Sequence, residues 1–173
     1  MLAESLRVVA EDLARLDAQN RPRQASLRRA VSTGYYAMFH LWARAASERM
    51  FANPDERRRF AVLAARDFTH SRLNDLAKEV VKPPGSRKAE VRGIVGAEPF
   101  AQLGRVCETF TEALQQREDA DYNHGATFKR SEVNRLLRDV RNAFDTWNAA
   151  PAAERDLFLV LLMMRGRGQG RAV

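Results

Sequence analysis

Leu103-Gly104-Arg105-Val106-Cys107-Glu108-Thr109-Phe110-Thr111-Glu112-Ala113-Leu114-Gln115-Gln116-Arg117-Glu118-Asp119-Ala120-Asp121-Tyr122-Asn123-His124 is the stretch whose spacing decides the fold class. Apolar residues recur at Leu103, Val106, Phe110 and Leu114, the repeat of a helix with one buried face. The next position of that series is Arg117, so a guanidinium stands where a core residue is expected. Asn123 and Gly125 tolerate left-handed dihedrals and commonly end helices, so the helix is predicted to fail at Tyr122-Asn123-His124-Gly125. His124 is thereby delivered just past the helix end, close to the arginine.

Helical signals continue in both directions. Leu2, Leu6, Val9, Leu13 and Leu16 form an apolar stripe closed by Asn20-Arg21-Pro22, which breaks any helix. A second helix is predicted from about Gln24 to Met50, with Leu27, Val31, Tyr35, Met38, Trp42 and Ala45 on one face. Its Ala30, Gly34 and Ala37 offer a side where a neighbour can approach closely. Asn53 caps a third helix that has Pro54 at its first position and runs through Leu63, Phe68, Leu73 and Leu76. From Lys82 to Glu98 the proline and glycine content predicts an irregular, mobile insertion. A fourth helix starts near Pro99 and ends at the Arg117 motif. A fifth carries Val133, Leu136, Leu137, Val140, Phe144 and Trp147, and a last short one follows Pro151. The run from Leu157 to Met164 exceeds what one buried face of that helix needs, so part of it should lie against another subunit or the open side of the bundle.

No strand-like alternation and no repeat interrupts this pattern. The predicted architecture is all-α, an antiparallel bundle of about five to six helices. A single domain spans 1–165, and a disordered basic tail covers 166–173.

A chain of 173 residues suits one domain with a real core. Its one cysteine, Cys107, excludes a disulfide framework and points to a reducing compartment, so a cytoplasmic location is expected. The longest apolar run is too short to span a bilayer, and no membrane association is expected. The net charge of +7 suggests a polyanionic partner, although 25 arginines against 4 lysines also carry the stamp of a GC-rich coding sequence. Cysteine clusters, a glycine-rich nucleotide loop after a strand and paired Glu-x-x-His motifs are all missing, so no metal and no cofactor are expected. His40, His70 and His124 read better as scattered core or surface histidines than as one ligand set.

Arginine and histidine together can run phosphoryl-transfer chemistry without a metal. The guanidinium offers a planar fork to phosphate oxygens, and an imidazole titrating near neutrality can take a proton from a 2′-hydroxyl or give one to a leaving oxygen. A structural reading stands beside this one: Arg117 as a helix C-terminal cation clamped by Asp121 one turn on, and His124 as an exposed loop histidine.

Leu27-Arg28-Arg29-Ala30-Val31-Ser32-Thr33-Gly34-Tyr35-Tyr36-Ala37-Met38-Phe39-His40 resembles the long second helix of HEPN-domain proteins, in which a Tyr-Tyr-Ala-x-Phe-His string recurs. The stretch from Arg117 to His124 is similar to that family's arginine-to-histidine signature, in a version carrying Ala-Asp-Tyr. Both occur in the family's order, and the resemblance covers roughly Leu2 to Trp147. It implies a HEPN-like bundle that forms a homodimer, with two copies of the motif facing one cleft. Many members are metal-independent endoribonucleases, often toxins neutralised by a nucleotidyltransferase antitoxin. Others are non-catalytic modules that bind nucleotide or a partner protein. Carried over, Arg117 would bind the scissile phosphate of RNA and His124 would transfer the proton. Glu118 stands where ribonuclease members usually have Asn, Asp or His, and a carboxylate there repels phosphate.

The remaining residues of the two motifs have structural readings. Tyr35 and Phe39 are expected in the core, with Tyr36 and His40 one position round. His40 is expected as a hydrogen-bonded interior histidine that could also reach the cleft. Asp121 should pair with Arg117 across one turn, and Tyr122 should pack back on the bundle rather than stack on a base. Arg28, Arg29 and the Arg57-Arg58-Arg59 run read as solvated helix faces.

Overall fold

A computed structural model describes residues 2–17, 22–95 and 101–164. Among them are eight α-helices, one 3-10 turn and no strand. The helices are α1 (Leu2–Arg15), α2 (Gln24–Met50), α3 (Pro54–Asp67), α4 (His70–Val81), α5 (Ala89–Val95), α6 (Ala101–Tyr122), α7 (Arg130–Ala149) and α8 (Ala152–Met164). Asn20, Arg21, Pro99 and the basic tail lie outside the described residues.

The centre of the bundle is α2, which packs against α1, α3, α6, α7 and α8. A helix enclosed in this way is apolar nearly all round, and from Leu27 to Ser47 buried residues occupy every side of α2. Gly34 marks its closest approach. A Cβ built there would meet Leu137 Cδ2 of α7 at 2.7 Å and the Ala10 Cβ of α1 at 4.0 Å. Trp42 stacks on Phe110 of α6 at 4.4 Å between ring centres and meets Phe158 of α8 at 4.8 Å, so three helices share one aromatic centre. Cys107 is wholly buried, and burial pushes its thiol pKa up.

The structure exceeds the predicted helix count for two reasons. The expected third helix breaks at Phe68-Thr69, where Thr69 takes an extended conformation and its side chain accepts from the Arg72 amide at 3.3 Å. The stretch expected to be irregular from Lys82 onward instead forms a 3-10 turn at Pro84–Ser86 and then α5. That segment is pinned because buried Arg87 donates to the carbonyls of Val80 and Lys82, while buried Glu79 accepts from the Lys82 ammonium at 2.8 Å and from the Lys88 amide.

Helix α1 keeps only part of the expected stripe against the bundle, Leu6 and Leu13 packing partly against the core. Ala3, Ala10 and Ala14 face the core, whereas Leu16 is 70% exposed and Leu2 and Val9 are also open to solvent. Small residues on both helices let the α1 and α2 backbones come close, and Arg141 of α7 grips Glu11 on the flank of α1. In α8, Phe158, Leu159, Leu161 and Leu162 are in the core of their own chain, Leu157 and Met163 pack partly against it, and Val160 and Met164 are exposed.

Arginines close the carbonyl ends of four helices. Arg28 serves α6, Arg57 donates to the Phe51 carbonyl at the end of α2, Arg72 to those of Leu162 and Met163 in α8, and Arg87 to those at the end of α4. Orphan carbonyls and the negative helix end both favour a cation there. Four of the 29 basic residues therefore serve helix ends.

Candidate functional site

Leu103, Val106, Phe110 and Leu114 are buried as the spacing predicts, and Arg117 continues the series at only 9% exposure. Its guanidinium is held from several sides. Nη2 donates to the Tyr36 hydroxyl at 3.1 Å, and the Asp121 Oδ2 lies 2.8 Å from Nε. The Nε hydrogen is not aimed at that oxygen, so the Asp121 contact is an ion pair rather than a hydrogen bond. The cation also sits over the rings of Tyr36 and Tyr122, at 5.7 and 5.1 Å from their centres. Burial alone would lower the Arg117 pKa, but the two phenols and Asp121 together hold it above its usual value.

Asp121 is itself fixed from α2, since buried Ser32 donates to its Oδ1 at 2.6 Å. Ser32 and Tyr36 lie one turn apart on α2, so a single face of that helix positions both the arginine and its counter-ion. Tyr122 departs from the expected packing: it lies over the guanidinium yet remains 68% exposed. Its place at the last turn of α6 leaves one side of the ring without a neighbouring helix.

Helix α6 ends at Tyr122 as predicted. The Asn123 side chain accepts from the Gly125 amide at 3.1 Å, which bends the chain away. Arg28, expected on a solvated face, instead reaches across to this turn and donates to the carbonyls of Ala120 at 2.8 Å, Asn123 at 3.0 Å and Ala126 at 2.5 Å. His124 is presented on this braced turn. Its side chain is exposed and has no hydrogen bond or ion pair among the described residues.

His40 lies one turn beyond Tyr36, half-buried and edge-on to Phe39 at 5.5 Å. Contrary to expectation its side chain makes no hydrogen bond among the described residues, and burial lowers its pKa. The histidine that the structure does bring to this face is His70, at the start of α4. Its Nδ1 lies 2.5 Å from the Tyr35 hydroxyl, and its ring is 6.1 Å from that of Tyr36. Burial lowers the His70 pKa and the charge of Arg117 lowers it further, while exposed Glu118 opposes them. Only the Thr69 cap, which starts a helix at His70, offered a sequence signal for it.

Taken together, the site has a permanent cation at the end of a helix, a half-buried phenol beside it, an exposed aromatic over it and a histidine held neutral by burial. Such a set suits an oxyanion. Among the described residues no group of three or more His, Cys, Asp or Glu side chains is placed to hold a metal ion. No helix there is long and apolar enough to cross a membrane. Comparison of the chain with protein-family models, with curated proteins and with solved structures gives no match.

Proposed function

We propose that the chain is a metal-independent endoribonuclease of the HEPN type, working as a homodimer. The observation that carries this reading is Arg117, a permanently charged fork at a core position of α6, one turn before the turn that displays His124. In the proposed reaction the 2′-hydroxyl attacks the neighbouring phosphorus while His124 removes its proton. The bond to the 5′ oxygen breaks, that oxygen takes up a proton from the second copy of the motif, and a cyclic phosphate remains. Arg117 stabilises the charge that builds on the non-bridging oxygens.

A second reading, a non-catalytic module that binds nucleotide or a partner protein, draws support from the Asp121 ion pair already on Arg117 and from Glu118 beside it. Cleavage of RNA by the purified protein in EDTA separates the two. His124→Ala should lower the rate by about 10² to 10⁴-fold with the fold intact. Wild-type protein that cleaves nothing selects the non-catalytic module, and a His124→Ala variant that cleaves equally fast removes His124 from the reaction. In the toxin form of the nuclease reading, the natural inhibitor is a nucleotidyltransferase antitoxin.

A further inference from the structure

The reaction above makes no use of the Tyr35 and His70 pair. Tyr35 is fully buried, and His70 is the single hydrogen-bond partner of its hydroxyl among the described residues. If Nδ1 carried the ring proton and donated it, the phenolic hydrogen would be left in the core with no acceptor, which costs more than the bond it replaces. Burial raises the Tyr35 pKa, so the phenol keeps its proton, and burial together with the Arg117 charge lowers that of His70. Nδ1 therefore accepts, and the proton of a neutral imidazole resides on Nε2.

That second nitrogen has no protein partner among the described residues, and it is not one of the buried atoms lacking a partner. Half-buried His70 thus presents an N–H that a ligand can reach. Tyr36 stands between it and Arg117. Because the Tyr36 hydroxyl accepts from Arg117 Nη2, its own hydrogen is free to donate. Asp121 occupies the Nε side of the guanidinium, while Tyr36 takes one of the hydrogens on its terminal nitrogens and Tyr122 lies over its face.

We propose that His70 Nε2–H, the Tyr36 hydroxyl and the terminal nitrogens of Arg117 form one phosphate-binding site, in which His70 acts as a neutral donor. The inference rests on Arg117 being the phosphate-binding group of the proposed nuclease, and it adds a donor from α4 that lies outside the arginine-to-histidine motif. His70 here is a binding residue. The proton chemistry stays with His124.

Long-range proton–nitrogen NMR on the full chain labelled with ¹⁵N-histidine, titrated with inorganic phosphate, tests this directly. His70 should be in the Nε2–H form at neutral pH, and its Nε2 signal should shift and saturate with phosphate. Arg117→Ala should abolish that shift. His70→Ala should weaken phosphate binding about tenfold, whereas His70→Gln, whose amide N–H can replace Nε2–H, should stay within about threefold. An Nδ1–H tautomer overturns the inference, as does phosphate that binds without moving the His70 signal, or no binding at all. A silent His70 in a protein whose RNA cleavage depends on His124 discards the inference and keeps the nuclease. A saturating His70 shift in a protein that cleaves no RNA does the reverse.

Discussion

At Arg117 a full positive charge lies against the core, and its neighbours set the energetics. Asp121→Ala removes the counter-ion while Tyr36 and Tyr122 remain. With the Asp121 side chain 30% exposed, water screens part of the loss, so the cost should be about 1–2 kcal/mol in urea denaturation. Ser32→Ala should cost about 1 kcal/mol, and the double variant less than the sum, because both act through one carboxylate. The histidines predict a pH dependence. Both His40 and His70 have folded pKa values below the ordinary 6.5, so the unfolded chain binds more protons as the medium acidifies. Their stabilising contribution is full above 6.5 and is lost as pH falls from there through the folded values. A chain carrying His40→Gln and His70→Gln should show a flatter stability profile just below pH 6.5 than wild type does.

The ends of the helices, more than their middles, decide how the elements hold together. Arg28, Arg57, Arg72 and Arg87 each close a carbonyl end, and alanine at any of them should cost about 1–2 kcal/mol. At Arg28, Arg72 and Arg87 lysine should restore only part of that, since a point charge cannot span several carbonyls as a fork does. Arg58, largely exposed and 3.7 Å from an equally exposed Asp55, should lose no more than about 0.5 kcal/mol on the same change. A urea series on these five variants distinguishes structural arginines from solvated ones. Thr69→Ala should cost about 1 kcal/mol, with hydrogen exchange faster at the start of α4, where the broken helix restarts.

Over the whole molecule the apolar surface is uneven. Leu2 and Val9 of α1, and Leu16 just past its end, stand exposed at seven-residue intervals, on one side of the helix. If the proposed homodimer uses that face, a Val9→Glu/Leu16→Glu chain should sediment as a monomer with unchanged helix content, while wild type sediments as a dimer. The folded monomer should lose no more than about 0.5 kcal/mol per site, because neither side chain is in the core. A dimer that survives both charges moves the interface away from α1.

Helix-forming periodicity, the burial of Arg117 in the α6 series, the end of that helix at Tyr122 and the Asn53 cap of α3 were all legible in the sequence. Each depends on residues within a turn or two of one another, where spacing and backbone preference act directly. Which residues of α1 would be most deeply buried was not legible, because its alanines take the positions against α2, Ala10 lying 4.0 Å from a Cβ built at Gly34, while Leu6 and Leu13 pack only partly beside them. The partners that shape the candidate site were equally hidden. Ser32 and Asp121 are 89 positions apart, Arg117 and Tyr36 are 81 apart, and Tyr35 and His70 are 35 apart. Local sequence determined that an arginine would be buried at the end of α6. The counter-ion Asp121, one turn on in the same helix, was legible too. Only the packing of α2, α4 and α6 decided that Tyr36 and Ser32 would hold this pair and that His70 would stand nearby, because long-range hydrogen-bond partners depend on the elements that fold against each other.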